Sequence, residues 1–96
     1  MAIVGLTSLF AIMAPSDDPK LEAAIQAKFP ADQLKVGPGQ WIIAATGTSK
    51  DISDQLGLTE GDVGSAIIVS FSGYYGRAST NIWEWIASRM GAAQVA

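Results

Sequence analysis

Residues 33–45 have the sequence QLKVGPGQWIIAA, and this stretch sets the topology of the chain. Leu34 and Val36 alternate with polar neighbours, which is the pattern of a short, half-exposed strand. The turn-forming residues GPG at 37–39 separate it from the apolar run at 41–45. The stretch therefore predicts a hairpin whose second strand is more buried than its first.

The chain before the hairpin predicts a strand and a helix. Residues 1–15 are almost wholly apolar at both odd and even positions, which is typical of a strand covered on both faces. This run is shorter than a membrane span and lacks the basic start of a secretory signal, so we expect a central strand. The alternative is a signal peptide without a basic start, which a mature protein that lacks these residues would reveal. Asp18 and Pro19 then predict a helix start, and Pro30 ends the helix. One apolar stripe runs along this helix: Leu21, Ala24, Ile25 and Phe29.

The chain after the hairpin predicts two helices around one strand. Thr48 and Asp51 have the spacing of a capping box, and Gly57 predicts the end of a short helix. The apolar, β-branched run at 66–71 predicts a mostly buried fourth strand. A last helix is expected from about Thr80 to Met90, stopped by Gly91. Its apolar arc consists of Ile82, Trp83, Ile86, Ala87 and Met90.

The predicted order is strand, helix, strand, strand, helix, strand, helix, without a linker or a repeat. Two right-handed strand–helix–strand crossovers fold such a chain into a four-stranded antiparallel sheet. We therefore expect one α+β domain over residues 1–96, of the ferredoxin-like βαββαβ type with an extra C-terminal helix. The first and third strands are expected at the centre of the sheet.

Composition excludes several kinds of chemistry. The chain has no Cys and no His, so the usual zinc ligands and the usual proton shuttle at neutral pH are missing. Nine acidic and six basic residues give a net charge of −3, which is unfavourable for binding nucleic acid. We expect a cytoplasmic protein without a metal, a cofactor or a membrane contact.

Several features together carry a family resemblance. These are the chain length, the element order, the strand WII at 41–43 followed by a helix start TSKDI at 48–52, and the tryptophan-rich last helix. In these features the chain resembles small ferredoxin-like proteins, among them the small subunit of the CRISPR integration complex and its uncharacterised bacterial relatives. In the nuclease members of this group, a carboxylate near the end of the first strand is the proposed metal ligand, so the resemblance implies that a nuclease would have an acid there. Here residues 9–14 contain no acid.

Two carboxylates a few residues further on keep a metal-dependent phosphodiesterase open as an alternative. Asp17 and Asp18 could be metal ligands, but we interpret them as helix caps. Asp51 and Asp54 share a helix face and could also present oxygens to a cation. Acids in the first turn of a helix are stabilised by its dipole, so this pair needs no ion.

The segment at 70–81 concentrates glycines, aromatic rings and one arginine before a helix start. Its candidate ligand-binding residues, for a small anionic or nucleotide-like molecule, are Tyr74, Tyr75, Arg77, Ser79 and Thr80. The alternative is that the glycines shape the turn and that Ser79 or Thr80 caps the last helix. The sequence favours this structural alternative.

Trp85 and Arg89 are the candidate interface residues. Trp85 lies outside the apolar arc of the last helix, and an exposed tryptophan forfeits several kcal/mol of burial free energy. The two-sided first strand also predicts that the second face of the sheet is covered by the last helix, a protein partner or a second copy. We therefore expect a non-enzymatic binding or regulatory protein that forms a homodimer.

Overall fold

The computed structural model describes residues 7–61, 63–73 and 77–94. The four strands form one antiparallel sheet in the order β2-β3-β1-β4, which places the first and third strands at the centre as predicted. This is a ferredoxin-like α+β fold with an extra C-terminal helix. The elements follow the predicted order: β1 (Ser8–Met13), α1 (Pro19–Lys28), β2 (Gln33–Gly37), β3 (Gln40–Ala45), α2 (Ser49–Leu56), β4 (Ile67–Phe71) and α3 (Thr80–Gln94).

The ends of α1 and α2 are determined by local capping, as the sequence predicts. Asp18 caps α1 because its side chain accepts from two backbone N–H groups of the first turn, and Pro19 occupies the first turn. The capping box of Thr48 and Asp51 forms at the start of α2. Gly57 ends α2 with a φ of 82°, in the left-handed region that glycine adopts without steric cost.

One face of the sheet packs against α1 and α2 and holds the main core. Each large side chain buried there contributes roughly 1.5–3 kcal/mol relative to exposure. Capping fixes where the two helices begin, and this burial holds them on the sheet. The buried members of this core are Phe10, Ile12, Leu21, Ile25, Phe29, Trp41, Ile43, Ile52 and Leu56.

The opposite face of the sheet is only partly covered by α3. A second, smaller cluster forms there around three buried residues, Leu9, Ala44 and Ile86. Half-buried residues pack against this cluster: Ile42, Phe71, Ile82, Trp83 and Trp85.

The prediction that the fourth strand is mostly buried is wrong. Ile67 is 63% exposed and Val69 is 40% exposed. The reason is tertiary: β4 lies at the edge of the described sheet, and α3 does not cover these side chains. An exposed apolar edge strand leaves its backbone groups accessible to another strand.

The last helix is longer than predicted and differs in the face it buries. It continues through Gly91 to Gln94. Glycine inside a helix costs about 1 kcal/mol, which the two alanines and the glutamine that follow can offset. Ala87 was expected on the buried arc but is exposed, whereas Trp85 packs on the second cluster. The buried face of α3 is therefore rotated toward the Trp85 side.

Among the described residues, no helix has the length and apolar character needed to cross a membrane.

Candidate functional site

The two acids nearest the end of β1 are held by contacts within the chain. Asp18 Oδ1 accepts from the backbone N of Lys20 at 2.9 Å and of Leu21 at 3.3 Å, which confirms its prediction as a helix cap. A side chain at Gly64 would collide with Asp18 Oδ2, because the backbone at this glycine lies close to the carboxylate. Asp18 is therefore part of the fold around the start of α1.

Asp17 has a different structural role from the cap that was predicted. Its Oδ1 accepts a hydrogen bond from the backbone N of Gly39 at 2.8 Å and lies 3.0 Å from Lys35 Nζ. The prediction of a cap is wrong for this residue because the turn between β2 and β3 supplies a backbone donor and β2 supplies a cation. Asp17 thus ties the β1–α1 loop to the hairpin.

Lys35 joins two acids at one end of the sheet. Its Nζ lies 3.3 Å from Glu22 Oε1 as well as close to Asp17, and 5.5 Å from the centre of the Trp41 ring. The hydrogen bond from Lys35, with a second from the Gly39 backbone, lowers the pKa of Asp17. The same hydrogen bond to Asp17 raises the pKa of Lys35, against a smaller opposing effect of desolvation. The charged groups of this cluster are therefore paired with one another.

The acids of α2 are also paired. Asp51 Oδ2 accepts from the backbone N of Thr48 at 2.9 Å in the capping box. Asp54 accepts from Lys50 Nζ at 2.8 Å and from Thr59 Oγ1 at 2.5 Å. Both hydrogen bonds lower the pKa of Asp54, and the one from Lys50 has the larger effect. Within the described part of the chain, no group of three or more acidic side chains is placed to hold a metal ion.

The predicted ligand-binding turn is only partly described. Tyr74 and Tyr75 lie outside the described residues. Arg77 is exposed, and Thr80 is the first residue of α3. Ser79 precedes the helix; its hydroxyl donates to the Asn81 side chain at 2.7 Å. The carbonyl of Ser79 accepts from two backbone N–H groups of the first turn of α3, so this residue contributes to the helix start.

The two predicted interface residues are brought together in the fold. Arg89 Cζ lies 4.8 Å from the centre of the Trp85 ring, and the tryptophan packs on the second cluster. Arg89 Nη2 donates to the carbonyl of Ala31 at 2.7 Å, and its Nε lies 3.2 Å from Asp32 Oδ1. Arg89 therefore fastens α3 to the start of β2, and a role of the pair at an interface stays a prediction.

A cavity of about 330 Å³ opens beside Arg89. The arginine Nε is buried and makes no aligned hydrogen bond to a described residue, although Asp32 neutralises the charge of Arg89. The cation beside this cavity is therefore paired with an acid of the same chain. Besides Arg89 and Asp32, the cavity is lined by small, uncharged residues: Thr7, Ala44, Ala45 and Thr46.

The sequence prediction missed the largest exposed apolar feature of the described chain. We call it the apolar corner, and it consists of Met13, Ile67 and Val69. Ile67 lies opposite Met13 across the β1–β4 ladder, and Val69 is the next residue of β4 on the same face of the sheet. A signal for it was available: placing the first and third strands at the centre makes β4 an edge strand.

Comparison of the chain with protein-family models, with curated proteins and with solved structures found no match.

Proposed function

We propose that this protein is a non-enzymatic binding protein that acts as a homodimer. The apolar corner carries the proposal. Met13 is 42% exposed, Ile67 63% and Val69 40%, on a sheet face whose other half is buried under α3. Apolar surface removed from water contributes about 25 cal/mol per Å². Contact with another molecule at the corner is therefore favoured.

A second copy is the occupant that this surface favours. A two-fold symmetric contact uses the same patch on both molecules, so one interface involves both corners. Between residues 63 and 73 the chain has no charged side chain. Two copies with a net charge of −3 each therefore bring no like charges into direct contact at this strand.

The paired state of the acids supports the non-enzymatic part of the proposal. Oδ1 of Asp17 is held by Lys35 and the N–H of Gly39, and Oδ1 of Asp18 by two N–H groups of α1, so each carboxylate has one of its two oxygens already engaged. The Lys35 cation beside Asp17 also opposes the binding of a metal cation there. Reproducible nucleic acid cleavage with Mg²⁺ or Mn²⁺ that disappears in Asp17→Ala or Asp18→Ala, with the fold retained, would overturn this part.

Sedimentation equilibrium over at least a tenfold dilution tests self-association. We expect a dimer at high concentration that dissociates on dilution, as for a small interface. Ile67→Lys places a charge in the apolar corner and should shift the equilibrium to monomer. Ala27→Lys, at an exposed position of α1, makes the same change in net charge and should leave the dimer intact. A protein that is monomeric at every concentration contradicts the proposal.

A further inference from the structure

We propose that β4 pairs edge to edge with β4 of a second copy, antiparallel and centred on Val69, so that two sheets join into one of eight strands. This inference rests on the proposed function, since it specifies the contact through which the homodimer forms. It is carried by the unequal protection of the two sheet edges and by the direction of the backbone groups of β4.

The edge formed by β2 has features that prevent strand addition. Lys35 lies in the middle of this strand, the register is interrupted between Lys35 and Gly37, and Pro38 follows directly. Lysine, irregularities in the ladder and proline are common means of blocking an exposed edge. The β2 edge is therefore a poor template for a partner strand.

The edge formed by β4 lacks these features. Its register with β1 is unbroken from Ile67 to Phe71, and its sequence, IIVSF, contains no charge and no proline. Within the described chain, β4 pairs with β1 alone. A regular, uncharged strand with one unpaired side is a template for another strand.

The ladder identifies which backbone groups of β4 face outward. The backbone N of Ala14 donates to the carbonyl of Gly39 at 2.7 Å, one step beyond the last β1–β3 pair. Because antiparallel hydrogen bonding alternates, the even-numbered residues of β1 bond to β3 and the odd-numbered ones bond to β4. The β4 partners of the odd-numbered residues are Ile67, Val69 and Phe71. The N–H and C=O groups of Ile68 and Ser70 therefore point to the open edge.

These outward groups allow a symmetric register centred on Val69. Ile68 of one copy lies opposite Ser70 of the other, and each such pair exchanges two backbone hydrogen bonds. The two Val69 side chains then meet at the two-fold axis. On the same face, Ile67 lies beside the second copy's Phe71. This register aligns the whole of β4 with its counterpart.

The same geometry predicts a modest affinity. A pair of five-residue strands covers less than the roughly 800 Å² per partner of a standard interface. Part of each apolar corner stays exposed, because Met13 belongs to the inner strand β1. We expect dissociation in the micromolar range.

Disulfide trapping tests the register, and a chain without cysteine makes the test clean. In the proposed pair the two Val69 Cα atoms are about 4.5 Å apart, in a non-hydrogen-bonded position. That separation lies within the range of about 4.4–6.8 Å that a disulfide spans. Val69→Cys should therefore form a covalent dimer under mild oxidation.

Ile67→Cys is the matched control. Ile67 is more exposed than Val69, so random collision favours disulfide formation at Ile67. In the proposed register the two Ile67 positions are four residues out of alignment, about 13 Å apart. We expect Val69→Cys to crosslink at least about tenfold faster than Ile67→Cys, measured on non-reducing gels. Urea unfolding of both reduced variants checks that the fold is kept.

The outcomes separate this inference from the function beneath it. Faster crosslinking of Val69→Cys supports the strand pairing. Equal or faster crosslinking of Ile67→Cys in a protein that dimerises overturns the pairing and leaves the homodimer standing. A monomer at every concentration, with slow crosslinking of both variants, overturns both.

Discussion

Replacing Gly39 by alanine should destabilise the protein more than the same change at a glycine with free space around the position of a Cβ. Gly39 has a φ of +71°, and a Cβ there would lie 2.8 Å from the carbonyl oxygen of Ala14 and 2.9 Å from that of Ser16. Both clashes are with backbone, so a side-chain rotation cannot relieve them. The turn must move away from the β1–α1 loop, which breaks the hydrogen bond from Ala14 N to Gly39 O.

Gly61→Ala supplies the matched control. Gly61 has a φ of +81°, but no atom of the described part of the chain lies within 4 Å of the position its Cβ would take. Both variants incur about 1–2 kcal/mol for a left-handed non-glycine residue. The Gly39 variant adds about 1 kcal/mol for the lost hydrogen bond, together with the cost of relieving the clash. We expect a loss of about 3 kcal/mol or more for Gly39→Ala, against about 1–2 kcal/mol for Gly61→Ala.

Urea unfolding followed by tryptophan fluorescence measures the difference. With a slope of about 1 kcal/mol per M for a small domain, the midpoint should fall by about 3 M for Gly39→Ala and by about 1–2 M for Gly61→Ala. A domain of this size has a total stability of about 5–14 kcal/mol, so the first variant should remain measurable. Equal losses in the two variants would refute the close packing of the hairpin turn on the β1–α1 loop.

Three further predictions concern single side chains. Because the pKa of Asp17 is lowered in the folded protein, its contribution to stability is present above the usual aspartate pKa and is lost as the pH falls through the folded value. Lys35→Met removes the main cause of the lowered pKa, so the free energy of unfolding, measured in urea, should fall less between about pH 5 and pH 2 in this variant. Thr48→Ala should lower the free energy of unfolding by about 1 kcal/mol because it removes the acceptor for Asp51 N, and Thr48→Ser should restore it. Arg77→Ala should shift the melting temperature of the unliganded protein by only a few degrees, because Arg77 is exposed. The same variant should abolish any thermal stabilisation by inorganic phosphate. Stabilisation that persists in the variant means that phosphate binds elsewhere.

The helix starts and the topology were predictable because they depend on neighbours in the sequence. The cap at Asp18 and the capping box at Thr48 and Asp51 need only residues within one turn. The hairpin at 37–39 is also a local feature. Once these elements are in order, the rule for right-handed crossovers leaves few topologies, and the ferredoxin-like order is one of them.

The exposure of β4 was not predicted because burial depends on distant parts of the chain. The run at 67–71 has the composition of a core strand, and only the path of α3 determines which side chains of its face are covered. The position of α3 itself depends on Arg89, which contacts Asp32 and Ala31. These two residues precede Arg89 by 57 and 58 positions in the sequence. The predicted stop at Gly91 was wrong because a single glycine costs a helix only about 1 kcal/mol and two good helix formers, Ala92 and Ala93, follow it.

The anchoring of α3 also bears on what covers the apolar corner. Arg89 holds the C-terminal half of the helix near the start of β2, at the opposite edge of the sheet from β4. For α3 to cover Ile67 and Val69, Arg89 must leave the Ala31 carbonyl and the Asp32 carboxylate, and Trp85 must leave the second cluster. These contacts oppose such a movement. The same helix that buries one half of the face thus leaves the half beside β4 open, which favours a second molecule as its cover.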